Sequence, residues 1–385
     1  MKIIADANIP FVEECFSSIG EVTVMGGRDM TPEAVADAEV LLVRSITPVN
    51  EQLLGGSSVR FVATATIGFD HIDRDYLHAR HIGFTSAPGS NANSAAEYII
   101  AALLAVGQKH RIRLEEKSIG VIGVGNVGSR VAKKCEALGM RVLRNDPPLQ
   151  RQTGSPAYVP LEALYDCDFV TFHTPLTKEG LDKTYHLADE AFFASLKEGA
   201  VVLNASRGAV IDSAALQAAI DDDRLGPVVL DVWENEPGID VALLDQVTLG
   251  SPHIAGYSFD GKIAGLIMIY RAVCEYFGLE PRRAAADFLP APEVPQVDLG
   301  PAPDDDEAAL AQAVARVYSI ARDDANLRPI AQEPPERRGA FFDALRKNYP
   351  VRREFQNTTV IVDEPGGAVV RKLLGIGFKV KGRSA

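Results

Sequence analysis

The chain has 385 residues, enough for two or three domains at about 150 residues each. Its 39 Lys and Arg against 52 Asp and Glu leave a net charge of −13, a field that repels polyanions and gives nucleic-acid binding no support. An anionic substrate must then be held by a few local Arg or Lys side chains.

A hydrophobic fraction of 46% with 24% charged residues is ordinary for a folded globular protein and argues against long disorder. Cys15, Cys135, Cys167 and Cys274 lie far apart without a C-x-x-C pair, which suits a reducing compartment and points to neither disulfides nor a metal site. The opening Met1-Lys2-Ile3-Ile4-Ala5-Asp6 meets a carboxylate after a short apolar run, so it reads as a first strand rather than a signal peptide. The apolar-rich stretch Ala95 to Val106 carries Glu97 and is too short to cross a bilayer. The expectation is a cytoplasmic protein with no membrane or nucleic-acid partner.

Short β-rich runs alternate with helical stretches from the start: Lys2 to Ala5, Glu21 to Met25, Val40 to Arg44, Arg60 to Thr66 and Gly83 to Thr85. Such alternation predicts a parallel sheet covered by helices. Ser94 followed three residues later by Glu97 has the pattern of a capping box, predicting a helix from Ser94 through His110. A second series begins at Ser118 to Val124 and continues with strand candidates Arg141 to Arg144, Phe169 to His173, Val201 to Ala205, Pro227 to Val232 and Val247 to Leu249. Helical patterns separate them, among them Ser213 to Asp222, and another runs from Ser258 to Phe277. Residues 281 to 306, rich in Pro, Ala and Asp, read as a linker. Beyond it, Glu307 to Ala321 and Glu336 to Asn348 read as helices, with strands at Thr358 to Val362 and Val369 to Leu374 around a Pro365-Gly366-Gly367 turn. The fold class is α/β: two doubly wound parallel-sheet domains, Rossmann or flavodoxin-like, plus a small C-terminal α+β domain.

Gly123-Val124-Gly125-Asn126-Val127-Gly128 fits G-x-G-x-x-G, after a strand pattern and at the start of a helix. The first Gly permits the tight turn, the second lets backbone approach a pyrophosphate, and the third allows close helix-to-strand packing. The helix N-terminus adds amides and a positive dipole, so a polyanion can sit there without Lys. Asp146 ends the next strand, where a carboxylate accepts hydrogen bonds from ribose hydroxyls, which favours NAD. Arg144 close by suits a 2′-phosphate, and NADP stays the alternative.

Three later segments follow predicted strands, where open α/β sheets bind ligands. Arg207 follows Val201 to Ala205, Glu236 lies beyond Asp231-Val232-Trp233, and His253 follows Val247 to Leu249. Arg207 offers a planar fork for a carboxylate. His253 suits the transfer of a hydroxyl proton, with Glu236 orienting the imidazole and stabilising its charged form. His78, His81 and His110 stand in charged helical stretches and read as solvated.

Through several ordered motifs the chain resembles the D-isomer-specific 2-hydroxyacid dehydrogenases over residues 40 to 275. The motifs are Gly68-Phe69-Asp70-His71-Ile72-Asp73, Asn93-Ser94-Ala95-Ala96-Glu97, the glycine loop with Asp146, His173-Thr174-Pro175-Leu176-Thr177, Asn204-Ala205-Ser206-Arg207-Gly208, Asp231 to Pro237, and Ser251 to Gly256. The resemblance implies that Arg207, Glu236 and His253 form the catalytic trio. It also implies that NAD lies against Asn126, Val127, Thr174, Ala205, Ser206, Arg207, Asp231 and Gly256, in addition to Gly123, Gly125, Gly128 and Asp146. It further implies a discontinuous substrate-binding domain, residues 1–93 and 258–280, around an NAD-binding Rossmann domain at 94–257.

Val43-Arg44-Ser45-Ile46-Thr47, Ala65-Thr66-Ile67-Gly68, Tyr257 and the extra C-terminal segment resemble a branch of that family acting on a small phosphorylated 2-hydroxy acid. That likeness implies substrate contacts from Ser45, Thr66 and Tyr257, and a homodimer formed through residues 307–385. A phosphorylated acid needs a second cationic site besides Arg207. Candidates are Arg44, Arg337, Arg338, Arg346 and Lys347, and Arg346 is expected to reach the phosphate from the partner subunit. Alternatives are a dehydrogenase for 3-phosphoglycerate or another D-2-hydroxy acid and, in a different class, a module that senses NAD and reports to a protein partner.

Overall fold

A computed structural model describes residues 1–300, 305–363 and 367–383. It contains fourteen strands among the described residues, and the chain divides into two compact units, 1–91 with 258–291 and 92–257 with 292–385.

The first unit holds β1 (Lys2–Asp6), β2 (Glu21–Met25), β3 (Val40–Val43), β4 (Phe61–Thr64) and β5 (Gly83–Thr85), all parallel in the order β2-β1-β3-β4-β5. β3 and β4 are buried along their whole length, as strands with helices on both faces must be. The helix Phe259–Phe277 returns to this unit and packs Ile263, Leu266, Ile269, Tyr270 and Val273 into its core with Ile3, Phe16 and Phe61. Ser258 caps it by accepting from the Gly261 amide. The sheet order reverses at β1, so the crevice beyond β1 and β3 is the switch point of this unit. Asp6 and Arg44 stand there.

The second unit holds β6 (Ser118–Ile122), β7 (Arg141–Asn145), β8 (Phe169–Phe172), β9 (Ala200–Asn204), β10 (Leu225–Leu230) and β11 (Leu249–Gly250), parallel in the order β11-β10-β9-β8-β6-β7. Its switch point lies between the ends of β6 and β8. The strands expected in residues 1–257 are all present, with ends that coincide or differ by one or two residues.

Four expectations are corrected. Ser94 lies inside the helix, which begins two residues earlier (Ala92–His110), and Glu97 Oε1 accepts from the Phe355 amide at 3.0 Å and from Asn93 Nδ2 at 3.0 Å. The supposed linker contains β12 (Gln296–Asp298), whose Val297 is buried against β13 (Thr359–Val362). Val369 to Leu374 is not a strand but lies within the helix Ala368–Ile376, which buries Val369, Val370, Leu373 and Ile376 at helical spacing and ends on Gly377 at φ 117°. The third strand is β14 (Lys379–Gly382), giving a parallel sheet β12-β13-β14. The single expected helix from Glu307 breaks at Tyr318 into Asp306–Val317 and Ile320–Leu327, where Ser319 caps the second piece by accepting from the Arg322 amide. The predicted Pro365-Gly366 turn and residues 301–304 of the predicted linker lie outside the described residues.

Residues 292–385 pack within the second unit around a buried charge cluster. Lys134 Nζ donates to the Ile376 carbonyl at 2.5 Å, Asn93 Nδ2 donates to Glu354 Oε2 at 2.7 Å, and Glu97 receives the Phe355 amide. Burial, then the neighbouring Glu354 charge, pushes the Glu97 carboxyl up to about 8 despite the opposing fields of Lys134 and Arg352. A carboxyl raised in the folded state favours folding in its protonated form. Its contribution is therefore full below the ordinary value of 4.5 and is lost as pH rises through about 8. Glu97→Gln keeps a carbonyl for the Phe355 amide and removes the ionisation. Thermal melts should show it matching the parent near pH 5 and exceeding it above pH 8 by about 2 kcal/mol. Parallel pH profiles for the two proteins would contradict this account.

Candidate active site

At the switch point of the second unit, Gly123 turns at φ 83°, and a Cβ there would stand 2.8 Å from the His173 carbonyl and 2.9 Å from Thr174 Cγ2. A Cβ on Gly128 would meet the Gly123 oxygen at 1.9 Å, whereas one on Gly125 would have nothing within 4 Å. The first and third glycines thus serve backbone packing and the second leaves open space over the loop. The helix Asn126–Ala137 starts there with free amide ends, Val127 part-buried behind it. Thr174 Oγ1 is buried with no hydrogen-bond partner. An open glycine cradle, a helix N-terminus and an orphaned hydroxyl together fit a dinucleotide pyrophosphate.

Asp146 ends the neighbouring strand. Its Oδ2 accepts from the Val124 amide at 2.8 Å and its Oδ1 from the Leu149 amide at 3.0 Å, so the carboxylate is locked to the loop and retains lone pairs for hydroxyl donors. Arg144 is paired with Glu136 instead of being offered to a 2′-phosphate. His173, part-buried in the same wall, shares a hydrogen bond of 3.0 Å with Thr171 Oγ1 through Nε2; desolvation drives its imidazole down to about 3, so it is neutral there.

β9, β10 and β11 are neighbours, and the trio follows their ends. Asn204 shapes the first loop: its Oδ1 accepts from Ser206 N and Oγ at 3.0 and 2.8 Å, and its Nδ2 donates to the Arg207 carbonyl at 3.0 Å. Ala205 and Ser206 sit in that turn, and Arg207 Nη1 donates back to the Ser206 carbonyl at 2.8 Å. Gly208 presses this loop on the next: a Cβ there would lie 1.9 Å from the Trp233 oxygen. Glu236 Oε1 accepts from the Trp233 amide at 2.8 Å, and its Oε2 meets His253 Nδ1 at 2.7 Å. Burial works against the Glu236 charge, but the His253 hydrogen bond and charge, the Trp233 amide and the field of Arg346 outweigh it and hold the carboxyl below its usual range. With Nδ1–H on the carboxylate, His253 Nε2 carries the free lone pair.

His253 sits in the left-handed region at φ 56°, a conformation costing about 1–3 kcal/mol that its surroundings must impose. Asp231 imposes it. Its carbonyl receives the His253 amide at 2.7 Å, and its buried carboxylate receives Ser251 Oγ at 2.6 Å and the Ile254 and Ala255 amides at 2.8 and 2.9 Å. Gly256 follows directly and Tyr257 stands half-buried beyond it.

Ser45 and Thr66 belong to the first unit, just past β3 and β4. Ser45 is exposed in its turn; Thr66 Oγ1 donates to the Gly68 carbonyl at 2.9 Å and shares a hydrogen bond of 2.7 Å with Thr64, which also meets His71 Nε2 at 3.2 Å. Arg44 Nη1 reaches the Asn8 carbonyl at 3.4 Å. Arg346, expected to reach the phosphate of a partner's site, has its guanidinium 5.8 Å over the ring of Tyr257 in its own chain. The reason is packing, since its helix Pro335–Lys347 buries Phe342 beside Trp233 and Ile239.

Sequence reasoning missed the brace from Arg352. Its Nη2 donates to the Ala255 carbonyl at 2.9 Å and the Ser94 carbonyl at 2.8 Å while its guanidinium lies 4.3 Å over Tyr318. A single Arg after Pro350 carries no local signal of a contact nearly a hundred residues away.

Residues 101–255 match the family model described as the NAD binding domain of D-isomer specific 2-hydroxyacid dehydrogenases, and residues 288–377 match one described as a domain of unknown function. The chain is 48% identical to the erythronate-4-phosphate dehydrogenase of Salinibacter ruber, over 96% of this chain and 95% of that one, and 44% identical to that of Escherichia coli strain SMS-3-5, over 97% and 98%. Among solved structures it is similar to D-lactate dehydrogenase from Aquifex aeolicus complexed with NAD and lactic acid, with a TM-score of 0.59, 25% identity, and coverage of 72% of this chain and 95% of that one. D-2-hydroxyisocaproate dehydrogenase shares the fold at a TM-score of 0.59 and 20% identity, covering 73% and 98%. The chain therefore belongs to the NAD-binding D-isomer specific 2-hydroxyacid dehydrogenases, in the group of the erythronate-4-phosphate dehydrogenases.

Proposed function

We propose that the protein oxidises 4-phospho-D-erythronate at C2 to (R)-3-hydroxy-2-oxo-4-phosphooxybutanoate with NAD, a step in the formation of pyridoxal 5′-phosphate (vitamin B6). The observation that carries this reading is the 2.7 Å contact between His253 Nδ1 and Glu236 Oε2 on strand ends next to that of Arg207, in a chain 48% identical to an enzyme named for this substrate. When bound, NAD supplies the hydride acceptor. Gly123, Gly125, Asn126 and Gly128 would hold its pyrophosphate, Asp146 a ribose, and Thr174, Ala205 and Ser206 the neighbouring groups.

Arg207 orients the substrate carboxylate through its planar fork. His253 Nε2 takes the proton of the C2 hydroxyl as the C2 hydrogen departs with its electron pair, and the Glu236 carboxylate offsets the charge that appears on the imidazole. In reverse the imidazolium returns the proton. Asp231 acts as a positioning residue through the His253 loop. Ser45, Thr66 and Tyr257 are the proposed further substrate contacts.

Among the described residues no helix is long and apolar enough to cross a membrane. We further propose a cytoplasmic homodimer formed through residues 307–385, a reading supported by the exposed Val351 and Leu374. The test is absorbance at 340 nm with 4-phospho-D-erythronate and 3-phosphoglycerate side by side, each with NAD and with NADP. A higher kcat/KM for 4-phospho-D-erythronate with NAD is expected, and preference for 3-phosphoglycerate would overturn the substrate assignment.

A further inference from the structure

We propose that Arg346, carried on the C-terminal segment of the same chain, is the receptor for the phosphate of the substrate, an inference that rests on the reading above. Its helix crosses the catalytic loop closely: a Cβ on Gly339 would stand 3.3 Å from Pro237, the residue after Glu236. From there the guanidinium lies over the Tyr257 ring at 5.8 Å, close to the limit of cation–π attraction. The edge of Tyr349 meets Tyr257 at 5.8 Å and Tyr349 OH donates to Asp323, so the aromatic floor under the cation is anchored.

The cation itself is under-used. Nε is buried without a hydrogen-bond partner, and the carboxylate in reach is Asp343 one turn back, 3.9 Å from Nη1 and more than half exposed. A guanidinium has five donors in a fixed fork, and leaving them unmatched is costly unless a ligand fills them. A dianionic phosphate is such a ligand, binding Arg in bidentate fashion. The location also matches the need. The substrate carries two anionic ends, Arg207 accounts for one, and a chain of net charge −13 attracts the other nowhere in general.

The test compares 4-phospho-D-erythronate with unphosphorylated D-erythronate. Arg346→Ala should raise KM for the phosphorylated acid by roughly 100-fold, and its kcat/KM for the phosphorylated acid should fall at least about tenfold further than that for D-erythronate. Arg346→Lys, which keeps charge but loses the fork, should fall between, and it remains informative if the alanine variant folds poorly. Equal losses on both acids would overturn the proposal and make Arg346 a support for Glu236; unchanged KM values would overturn it too. Calorimetric binding of inorganic phosphate to the unmutated protein and to Arg346→Lys reads the site without turnover. Phosphate binding weakened in the variant supports the assignment even if 4-phospho-D-erythronate proves not to be the substrate, and equal or absent binding overturns it.

Discussion

His253→Ala should lower kcat by about 10³-fold while NADH binding, followed by fluorescence titration, stays within twofold of the parent. The imidazole is the group with a free Nε2 at the strand end beside Arg207, and its removal takes away the proton acceptor without touching the glycine cradle. Glu236→Gln should cost nearly as much for a reason visible in the hydrogen bonds. Glu236 accepts at both oxygens, from the Trp233 amide at 2.8 Å and from His253 Nδ1 at 2.7 Å. A glutamine has one carbonyl oxygen, so one of these donors would face an NH₂ group, or the imidazole would adopt the other tautomer and lose its free Nε2. The two replacements should be strongly non-additive, because the residues act as one unit. A double variant slower than His253→Ala by the full factor of Glu236→Gln would show that they act separately.

The pH dependence has a defined sign. The Glu236 carboxyl is held below its usual range in the folded protein, so its support of the imidazole is present at and above ordinary carboxylate values and is lost as pH falls through that lowered value. Activity lost on the acid side above that range is therefore not the protonation of Glu236.

Gly208→Ala should cut kcat by about 10²-fold and lower stability by about 3 kcal/mol. The added methyl would lie 1.9 Å from the Trp233 oxygen and 2.4 Å from the Glu234 nitrogen, both backbone atoms that cannot rotate aside. The Arg207 loop and the Trp233 to Glu236 loop would have to separate, displacing guanidinium and carboxylate relative to each other. Gly238→Ala, where the nearest atom lies at 3.5 Å, is the control in the same region and should behave like the parent. Equal kcat values for the two variants, measured with melting temperatures, would refute the close-approach argument.

The elements that were legible are those whose signal is local. β6, the glycine loop and the helix after it were readable together because a strand period, glycines with separate backbone duties and a helix pattern lie within about twenty residues. Arg207, Glu236 and His253 were readable as strand-end residues, since sheet order places such ends on one edge. The misreadings share a cause. Val369 to Leu374 is apolar at two successive pairs, 369–370 and 373–374, a pattern that a short window does not separate from a strand. β12 hid in a Pro- and Ala-rich stretch because one buried residue, Val297, suffices for a three-residue strand when its partner lies more than sixty positions on. Ser94 and Glu97 have the spacing of a capping box, yet Glu97 is drawn to the Phe355 amide, a tertiary partner that outweighs a local one.

The amino-acid sequence by itself determined the α/β class, the dinucleotide loop and the placement of Arg207, Glu236 and His253 after strands, because each depends on residue type and short-range order. Tertiary structure alone decided that Glu236 is held for His253 by the Trp233 amide, that Asp231 is spent on the loop carrying His253 in its left-handed conformation, and that Arg346 stands over Tyr257 of its own chain. These are contacts between segments far apart along the chain. Phe342 of helix Pro335–Lys347, for one, joins the apolar core that β9 and β10 share, and no periodicity within any one segment encodes that.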